Sequence, residues 1–372
     1  MKEKSTDILL KVGEEKLLRF SYSDELGIYY EIINKCKIIK RKIIFRNSFK
    51  YFFVTLDVNR NINLICQDEV GNIILCILIE GKWKYKILFH MKYNFITPIK
   101  AKGFFNKKEL KILFNLDSDY KNIYYSDNYK SLSTIYNDNN DIDIDYDILE
   151  NYKYVSLIIN SVSFNIYKLI IKNFNKDDNI WSNNEIIYIS RKDYIDKSYC
   201  LVNNKIHFLI VTQEENEKLI VYKNITLCEK EELTRETIIF NDENIDSCLI
   251  IESKEVLWTF WISKNKLFGS YSVNEGEDFS SPLVYKIFKN EDVRKIKFIE
   301  GNKSREVYFY EEDGKIRLFL EDILKVNEVK FNINYKSISC GLDIKDEKII
   351  DNDKIKKSKE FEDKQRKYTI NY

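Results

Sequence analysis

A period of roughly 48 residues, close to the ~40–50 of a four-strand propeller blade, limits this chain to a repeat architecture. Apolar-aromatic endings recur at Phe45, Phe89, Tyr136, Tyr188, Phe240, Phe288 and Phe331. Their successive separations are 44, 47, 52, 52, 48 and 43 residues. Residues 1–45 supply a first unit of the same size, so seven units follow. A second marker keeps the register. Asp24-Glu25-Leu26-Gly27 reappears as Asp68-Glu69-Val70-Gly71, 44 residues on, and Gly314 of Asp313-Gly314 lies 243 residues after Gly71, against 242 between Phe89 and Phe331. Each of these glycines suits the positive φ of a hairpin turn.

The stretch Asn61 to Phe89 shows what one unit contains: three apolar runs separated by turns at Glu69-Val70-Gly71-Asn72 and Glu80-Gly81-Lys82. Ile, Val, Tyr and Phe dominate such runs, as a pleated, half-buried surface requires. Helical periodicity is nearly absent. The expected fold is all-β: a seven-bladed β-propeller of four-stranded antiparallel blades over residues 1–340. Its first blade comes wholly from the N-terminal unit, without a strand borrowed from residues 335–340. Residues 341–372 are densely charged and read as a tail or one exposed helix, Glu347–Lys367.

One turn carries a family resemblance. Ser272-Val-Asn274-Glu-Gly276-Glu-Asp278-Phe279 resembles the Asp-box of sialidase-superfamily propellers, with Asn274 in place of the Asp and Asp278 in place of the hydroxyl residue. Tyr125 to Leu132 fits the same frame with further losses, and Trp83 and Trp181 keep only the closing aromatic. The resemblance implies a scaffold. Ser272, Asn274, Gly276 and Phe279 are structural turn residues in it, an amide accepting backbone N–H groups over a packed aromatic. It does not extend to an activity. Sialidase chemistry needs three clustered arginines for a carboxylate and an activated Tyr. This chain has ten arginines, of which Arg19 and Arg317 fall inside predicted strands.

Other chemistries find little support. The net charge of +1, from 60 basic and 59 acidic residues, gives no footprint for nucleic acid. No stretch reaches the ~18 uncharged apolar residues of a membrane span, and the N-terminus lacks a secretory h-region. Two histidines, His90 and His207, build no metal site, and His207 reads as a strand residue. The run Asp141-Ile-Asp143-Ile-Asp145-Tyr-Asp147 lacks the Gly and Glu of an EF-type calcium loop. It reads as a solvated inter-blade loop or else as an edge strand with one charged face. Trp258 and Trp261 have opposite parity on a strand, which places them on opposite sheet faces as core residues. The seven cysteines, Cys36, Cys66, Cys76, Cys200, Cys228, Cys248 and Cys340, contain no CxxC and read as free thiols of a cytoplasmic protein. No catalytic residue, cofactor or metal is expected. The leading expectation is a non-catalytic scaffold binding another protein. The alternative is a carbohydrate-binding or glycoside-hydrolase-related propeller with a central pocket. Acidic and aromatic side chains meeting at the centre would favour the alternative; Ile, Val and small residues there would favour the scaffold.

Overall fold

Alternating apolar runs bounded by two-residue turns leave the chain little choice but antiparallel meanders. The computed structural model describes residues 7–90, 98–116, 119–127, 129–138, 143–164, 166–191, 193–227, 236–287, 293–301, 303–312 and 315–319. All fall within one compact unit, Met1–Val326. Every element among them is a β-strand.

The first repeat unit holds β1 (Ile8–Lys11), β2 (Lys16–Ser23), β3 (Gly27–Asn34) and β4 (Lys37–Phe45). The second holds β5 (Ser48–Leu56), β6 (Ile62–Asp68), β7 (Ile73–Ile79) and β8 (Lys82–Phe89). The third holds β9 (Ile99–Asn106), β10 (Glu109–Leu116), β11 (Asp119–Ser126) and β12 (Ser133–Asn137). In the fourth come β13 (Asp143–Glu150), β14 (Tyr154–Ser163), β15 (Ile166–Asn175), β16 (Ile180–Trp181) and β17 (Glu185–Ser190). The fifth has β18 (Asp193–Val202), β19 (Lys205–Glu214), β20 (Glu217–Thr226) and β21 (Thr237–Asp242). The sixth has β22 (Ile245–Ser253), β23 (Val256–Ser263), β24 (Lys266–Ser272) and β25 (Leu283–Ile287). The last has β26 (Arg294–Glu300), β27 (Lys303–Glu312) and β28 (Lys315–Leu318).

Hydrogen bonding divides these strands into six sheets among the described residues, not seven separate ones. Four sheets have four strands. The fourth unit makes a five-stranded sheet, because Ser182-Asn183-Asn184 splits its outer strand into β16 and β17, both paired with β15. Ser182 holds the break by donating its N–H to Asn173 O and accepting from Asn173 N through its hydroxyl. The remaining sheet has seven strands, in the order β28-β27-β26-β1-β2-β3-β4. It joins the two ends of the repeat array. β1 and β26 run in the same direction, and where they approach they form a parallel ladder, Ile8 opposite Lys297 and Lys11 opposite Glu300. The endings Phe288 and Phe331, the Asp313-Gly314 turn, residues 335–340 and the extension 341–372 lie outside the described residues.

Apolar side chains fill the spaces between neighbouring sheets. Trp261 is fully buried with Tyr222, Leu209 and Cys248 on one face of β23. Trp258 packs with Phe260, Tyr308 and Phe309 on the other. Alternation along one strand thus feeds two different cores, as the parity of the two tryptophans requires.

A charged seam lies beside the same seven-stranded sheet. Register places Arg19 opposite Glu31 and Glu31 opposite Arg41 on three adjacent strands. Glu31 is completely buried and accepts from both guanidinium groups, Arg19 Nε at 2.8 Å and Arg41 Nη2 at 2.6 Å. Arg19 also reaches Glu311 of β27 at 3.0 Å and lies over the Phe309 ring. The seam therefore ties the first unit to the last.

Candidate functional site

Charged residues on the first strands of the third, fourth, fifth and seventh units, β9, β13, β18 and β26, meet groups from other units. β13 shows how. Ile144, Tyr146 and Ile148 turn into the core, so Asp145 and Asp147 must face the other way. Asp147 takes Lys102 Nζ of β9 at 2.5 Å, and Asp145 takes Lys197 Nζ of β18 at 3.1 Å. Lys102 also donates to Tyr146 O and lies over the Tyr146 ring. Asp196 of β18 accepts from Lys295 Nζ of β26 at 2.7 Å and from Cys248 N of β22 at 3.0 Å. Lys295 donates further to the carbonyls of Lys197 and Cys248, and Glu306 of β27 stands 3.8 Å away. Lys297, two residues on, sits 4.1 Å over the Phe53 ring of β5. Strands of six units, the second to the seventh, contribute to this one cluster.

Its electrostatics favour mutual neutralisation. Burial alone would push the Asp147 carboxyl up, but the Lys102 ammonium more than offsets it and holds the group below the usual carboxylate range. Burial disfavours the Lys295 ammonium, yet Asp196 and Glu306 outweigh it, and its pKa rises above that of an ordinary lysine. The phenols are equally committed. Tyr146 donates to Lys100 O at 2.7 Å, Tyr199 to Asn160 Oδ1 at 2.7 Å, and Tyr308 lies 3.0 Å from Ser247 Oγ. Burial pushes all three phenols well above their usual value. Lys297 is the exception, its pKa lowered to about 8 by burial and then by the neighbouring Lys102 ammonium.

This cluster corrects one expectation. The part of the Asp141–Asp147 run that is described is not a solvated loop but the strand β13, at the edge of its sheet. Alternation with Ile and Tyr gives it an apolar face to bury, which a loop would lack. Asp141 itself lies outside the described residues. Lys102, Asp196, Lys197, Lys295, Lys297 and Glu306 were not singled out by composition or motif. A signal for them existed: paired charges two residues apart, Lys100/Lys102 and Lys295/Lys297, like Asp143/Asp145/Asp147, each inside a first strand.

The turn from Ser272 to Phe279 joins β24 to β25. Ser272 Oγ accepts from Gly276 N at 2.9 Å, and Asn274 Oδ1 accepts from Asp278 N at 3.1 Å. Gly276 has φ +91°, and a Cβ there would lie 1.8 Å from the Tyr222 hydroxyl, so no other residue fits. Phe279 meets the Tyr222 ring edge-on at 4.7 Å.

Tyr222 also receives His207, which lies within β19 as a buried side chain. His207 Nδ1 is 2.8 Å from the Tyr222 hydroxyl, which accepts from Asn224 Nδ2 at 3.0 Å. Burial, the main cause, lowers the imidazole pKa to about 4, with Lys205 acting in the same direction and Glu275 against it. The folded protein thus keeps His207 neutral while the unfolded chain takes a proton below about pH 6.5. The contribution to stability is fully present above that pH and is lost as pH falls towards 4, by about 3 kcal/mol at most. Urea unfolding at pH 7 and pH 4.5 should show a smaller loss for His207→Asn than for the wild-type chain, by roughly 2 kcal/mol. Equal losses in the two proteins would show that His207 does not set acid stability.

Elsewhere, an open cleft of about 610 Å³ lies between the fourth and fifth units, lined by Tyr188, Ser190, Arg191, Gln213, Glu214 and Glu236 among others. The outer strands β4 and β8 adjoin through Tyr85, whose hydroxyl donates to Ile44 O at 2.8 Å. They expose Lys37, Lys40, Lys42, Lys82, Lys84 and Lys86 around Ile38, Ile39, Tyr85 and Ile87. Cys36, Cys66, Cys76, Cys200 and Cys248 are free thiols; Cys228 and Cys340 lie outside the described residues. Among the described residues no group of three His, Cys, Asp or Glu could hold a metal ion, and no helix is long and apolar enough to cross a membrane.

No protein-family model and no curated protein matches the chain. Among solved structures it is similar to a polysaccharide lyase, an ulvan lyase (10% identity, 83% of this chain and 90% of that one, TM-score 0.53). It is also similar to the extracellular domains 1-2 of Drosophila semaphorin 1a (7% identity, 85% and 86%, TM-score 0.50). A third similarity is to a post-proline cleaving enzyme from Rickettsia typhi (9% identity, 82% of this chain and 52% of that one, TM-score 0.50). At such identities likeness speaks to fold alone: an all-β chain with many four-stranded antiparallel sheets, similar to propeller-type folds.

Proposed function

We propose that the chain is a seven-bladed β-propeller acting as a non-catalytic scaffold for a partner protein. The β1–β26 ladder supports a ring whose first and last blades meet at their innermost strands. The turn Ser272–Phe279 is a structural, Asp-box-like hairpin in this reading, and Ser272, Asn274, Gly276 and Phe279 have no role in chemistry.

One observation carries the non-catalytic reading. Acidic and aromatic side chains do meet where the first strands converge, the arrangement expected of the carbohydrate-binding alternative and not the Ile, Val and small residues expected of the scaffold, but here they are committed to one another. Asp145, Asp147 and Asp196 each hold a lysine, and the phenols are pushed up rather than down. A general acid needs a raised carboxyl pKa, and a nucleophilic Tyr a lowered one. Asp147 is held low by Lys102 and the phenols of Tyr146 and Tyr199 are pushed up, the opposite of both needs. The partner is a protein because β4 and β8 present exposed apolar side chains within a lysine-rich surface, a combination suited to an acidic, partly apolar protein face. Nucleic acid and membrane are not partners in this reading. A cytoplasmic setting belongs to it as well, where the buried free thiols Cys66 and Cys76 stay reduced.

The cleft beside Arg191 favours a second reading, a carbohydrate ligand, and the similar lyase acts on a polysaccharide. Two measurements separate the readings. Affinity purification with the wild-type chain and with K40E/K84E should enrich a protein only with the former. Binding to a glycan array, and turnover of sialylated or neutral glycosides, should be absent. Saturable glycan binding with no difference between the two chains in protein recovered would overturn the scaffold reading, and a nucleic acid recovered in place of the protein would do the same.

A further inference from the structure

The cleft between the fourth and fifth units has the parts of a binding site. Its volume is about 610 Å³, in the range that holds a small ligand or a short peptide. Register explains one wall. Thr212 lies opposite Leu219 on adjacent strands, and Val221 lies opposite Ile238. Directly opposed residues share a sheet face, as do residues two apart on one strand. These four side chains therefore turn the same way, and all four residues line the cleft. Leu219 and Val221 are buried, while Ile238 is 61% exposed. The Thr212 hydroxyl is buried on that wall without a hydrogen-bond partner. So is the hydroxyl of Tyr194, which stands opposite Thr212 on β18. Unmet hydroxyls behind an open cleft point to a polar group of a ligand. Arg191, Glu214, Glu215 and Glu236 complete the lining, all exposed. Among the described residues Arg191, Glu215 and Glu236 form no ion pair, with one another or elsewhere. Tyr188 offers no ring face to a sugar. It is 4% exposed, Lys223 Nζ lies 5.8 Å over its ring, and Tyr167 meets it in a T-shaped contact. The rest of the apolar wall is branched aliphatic, which suits another aliphatic side chain.

We propose that this cleft receives an extended, basic segment of the partner protein. One aliphatic side chain of the segment seats against Leu219, Val221 and Ile238. Its Lys or Arg neighbours reach Glu215 and Glu236, and one of its backbone carbonyls accepts from the Thr212 hydroxyl. Charge selects the sign. Three carboxylates and one guanidinium line the cleft, so an acidic segment is repelled. Main-chain hydrogen bonds combined with a side-chain pocket are a recurring way to read a peptide. The inference rests on the scaffold reading for the partner's being a protein, and it gives that partner a second contact, opposite in sign to the first. A short segment binds weakly alone, so retention of the whole partner needs the outer-strand contact as well.

A library of random short peptides, displayed on phage and panned on the full chain at low ionic strength, supplies the probe. Enriched sequences should place an aliphatic residue beside Lys or Arg. The lysine-rich surface of β4 and β8 repels such peptides and does not compete for them. The most enriched peptide, synthesised with a fluorophore, should bind wild type and K40E/K84E alike. It should bind E215K/E236K and I238D at least about tenfold more weakly. Those changes fall on exposed residues, so folding is not at stake, and thermal unfolding checks it. T212V should weaken binding roughly threefold and leave the free chain no less stable, because it removes a hydroxyl that the free chain does not satisfy. Maltotriose should not compete. Enrichment of acidic peptides or of none, equal binding by wild type and the cleft variants, or displacement by maltotriose would overturn the proposal. Loss of the peptide from K40E/K84E would do the same, placing it on the outer strands. Failure of the cleft alone leaves the β4 and β8 reading standing, since affinity purification of the partner tests that separately.

Discussion

Glu31→Ala should destabilise the fold by about 3–5 kcal/mol, as removal of one partner from a buried ion pair does. Glu31 is 0% exposed and accepts from two guanidinium groups. Its loss leaves Arg19, 12% exposed, with only the half-exposed Glu311. Arg41 is different. Its side chain is 52% exposed and water can replace the carboxylate. The expected order of effects is therefore Glu31→Ala largest, Arg19→Met intermediate, and Arg41→Met smallest, at about 1 kcal/mol or less. Urea unfolding midpoints at constant slope measure the series. A shift under about 1 kcal/mol for Glu31→Ala would mean that the seam between the first and last units contributes little. The direction of failure matters too. Loss of Glu31 should loosen the first and last units together, because Arg19 bonds Glu311 and covers Phe309 in β27.

The repeat was legible because it rests on two simple periodicities. Side chains alternate with period two along each strand, and a Gly or Asn turn closes many of the hairpins, though Lys35-Cys36 and Lys254-Glu255 turn without either. Trp258 and Trp261 were separable by parity alone, and they do enter different cores. What sequence could not show was which edges meet. Alternating Asp and Ile in β13 was readable as a strand with one charged face, but a solvent-facing loop fitted the same letters. The difference lies in Lys102 and Lys197, which come from other units and have no sequence relation to Asp147 and Asp145. The seven-stranded sheet was hidden for the same reason, since β1 and β26 are nearly three hundred residues apart. Net charge misled in another way. A balance of +1 is an average, and it conceals the gathering of Lys37, Lys40, Lys42, Lys82, Lys84 and Lys86 on two adjoining outer strands. Averages cannot report segregation.

Asp196→Ala should be comparably severe, again about 3–5 kcal/mol, and the double variant tells more than the single. Asp196 and Lys295 are each 8% exposed along their side chains. Removing the carboxylate strands a buried ammonium among the carbonyls of Lys197 and Cys248, with Glu306 no nearer than 3.8 Å. It also leaves Cys248 N without the acceptor it uses. Lys295→Met alone strands the carboxylate instead. Asp196→Leu with Lys295→Met removes both charges and should recover most of the loss, lying closer to wild type than either single change, because burying two charges is itself expensive. A double variant at least as unstable as the two singles added together would contradict this. Between pH 7 and pH 9 the wild-type pair should contribute a constant amount. The Lys295 pKa is raised, so its contribution is complete below the ordinary lysine value and fades only at higher pH. The same double variant bears on function. If these ion pairs hold the first strands together and do no chemistry, the refolded double variant should still recover the partner that the β4 and β8 surface binds. Loss of that partner from a stable double variant would move the binding site from the outer strands to the centre.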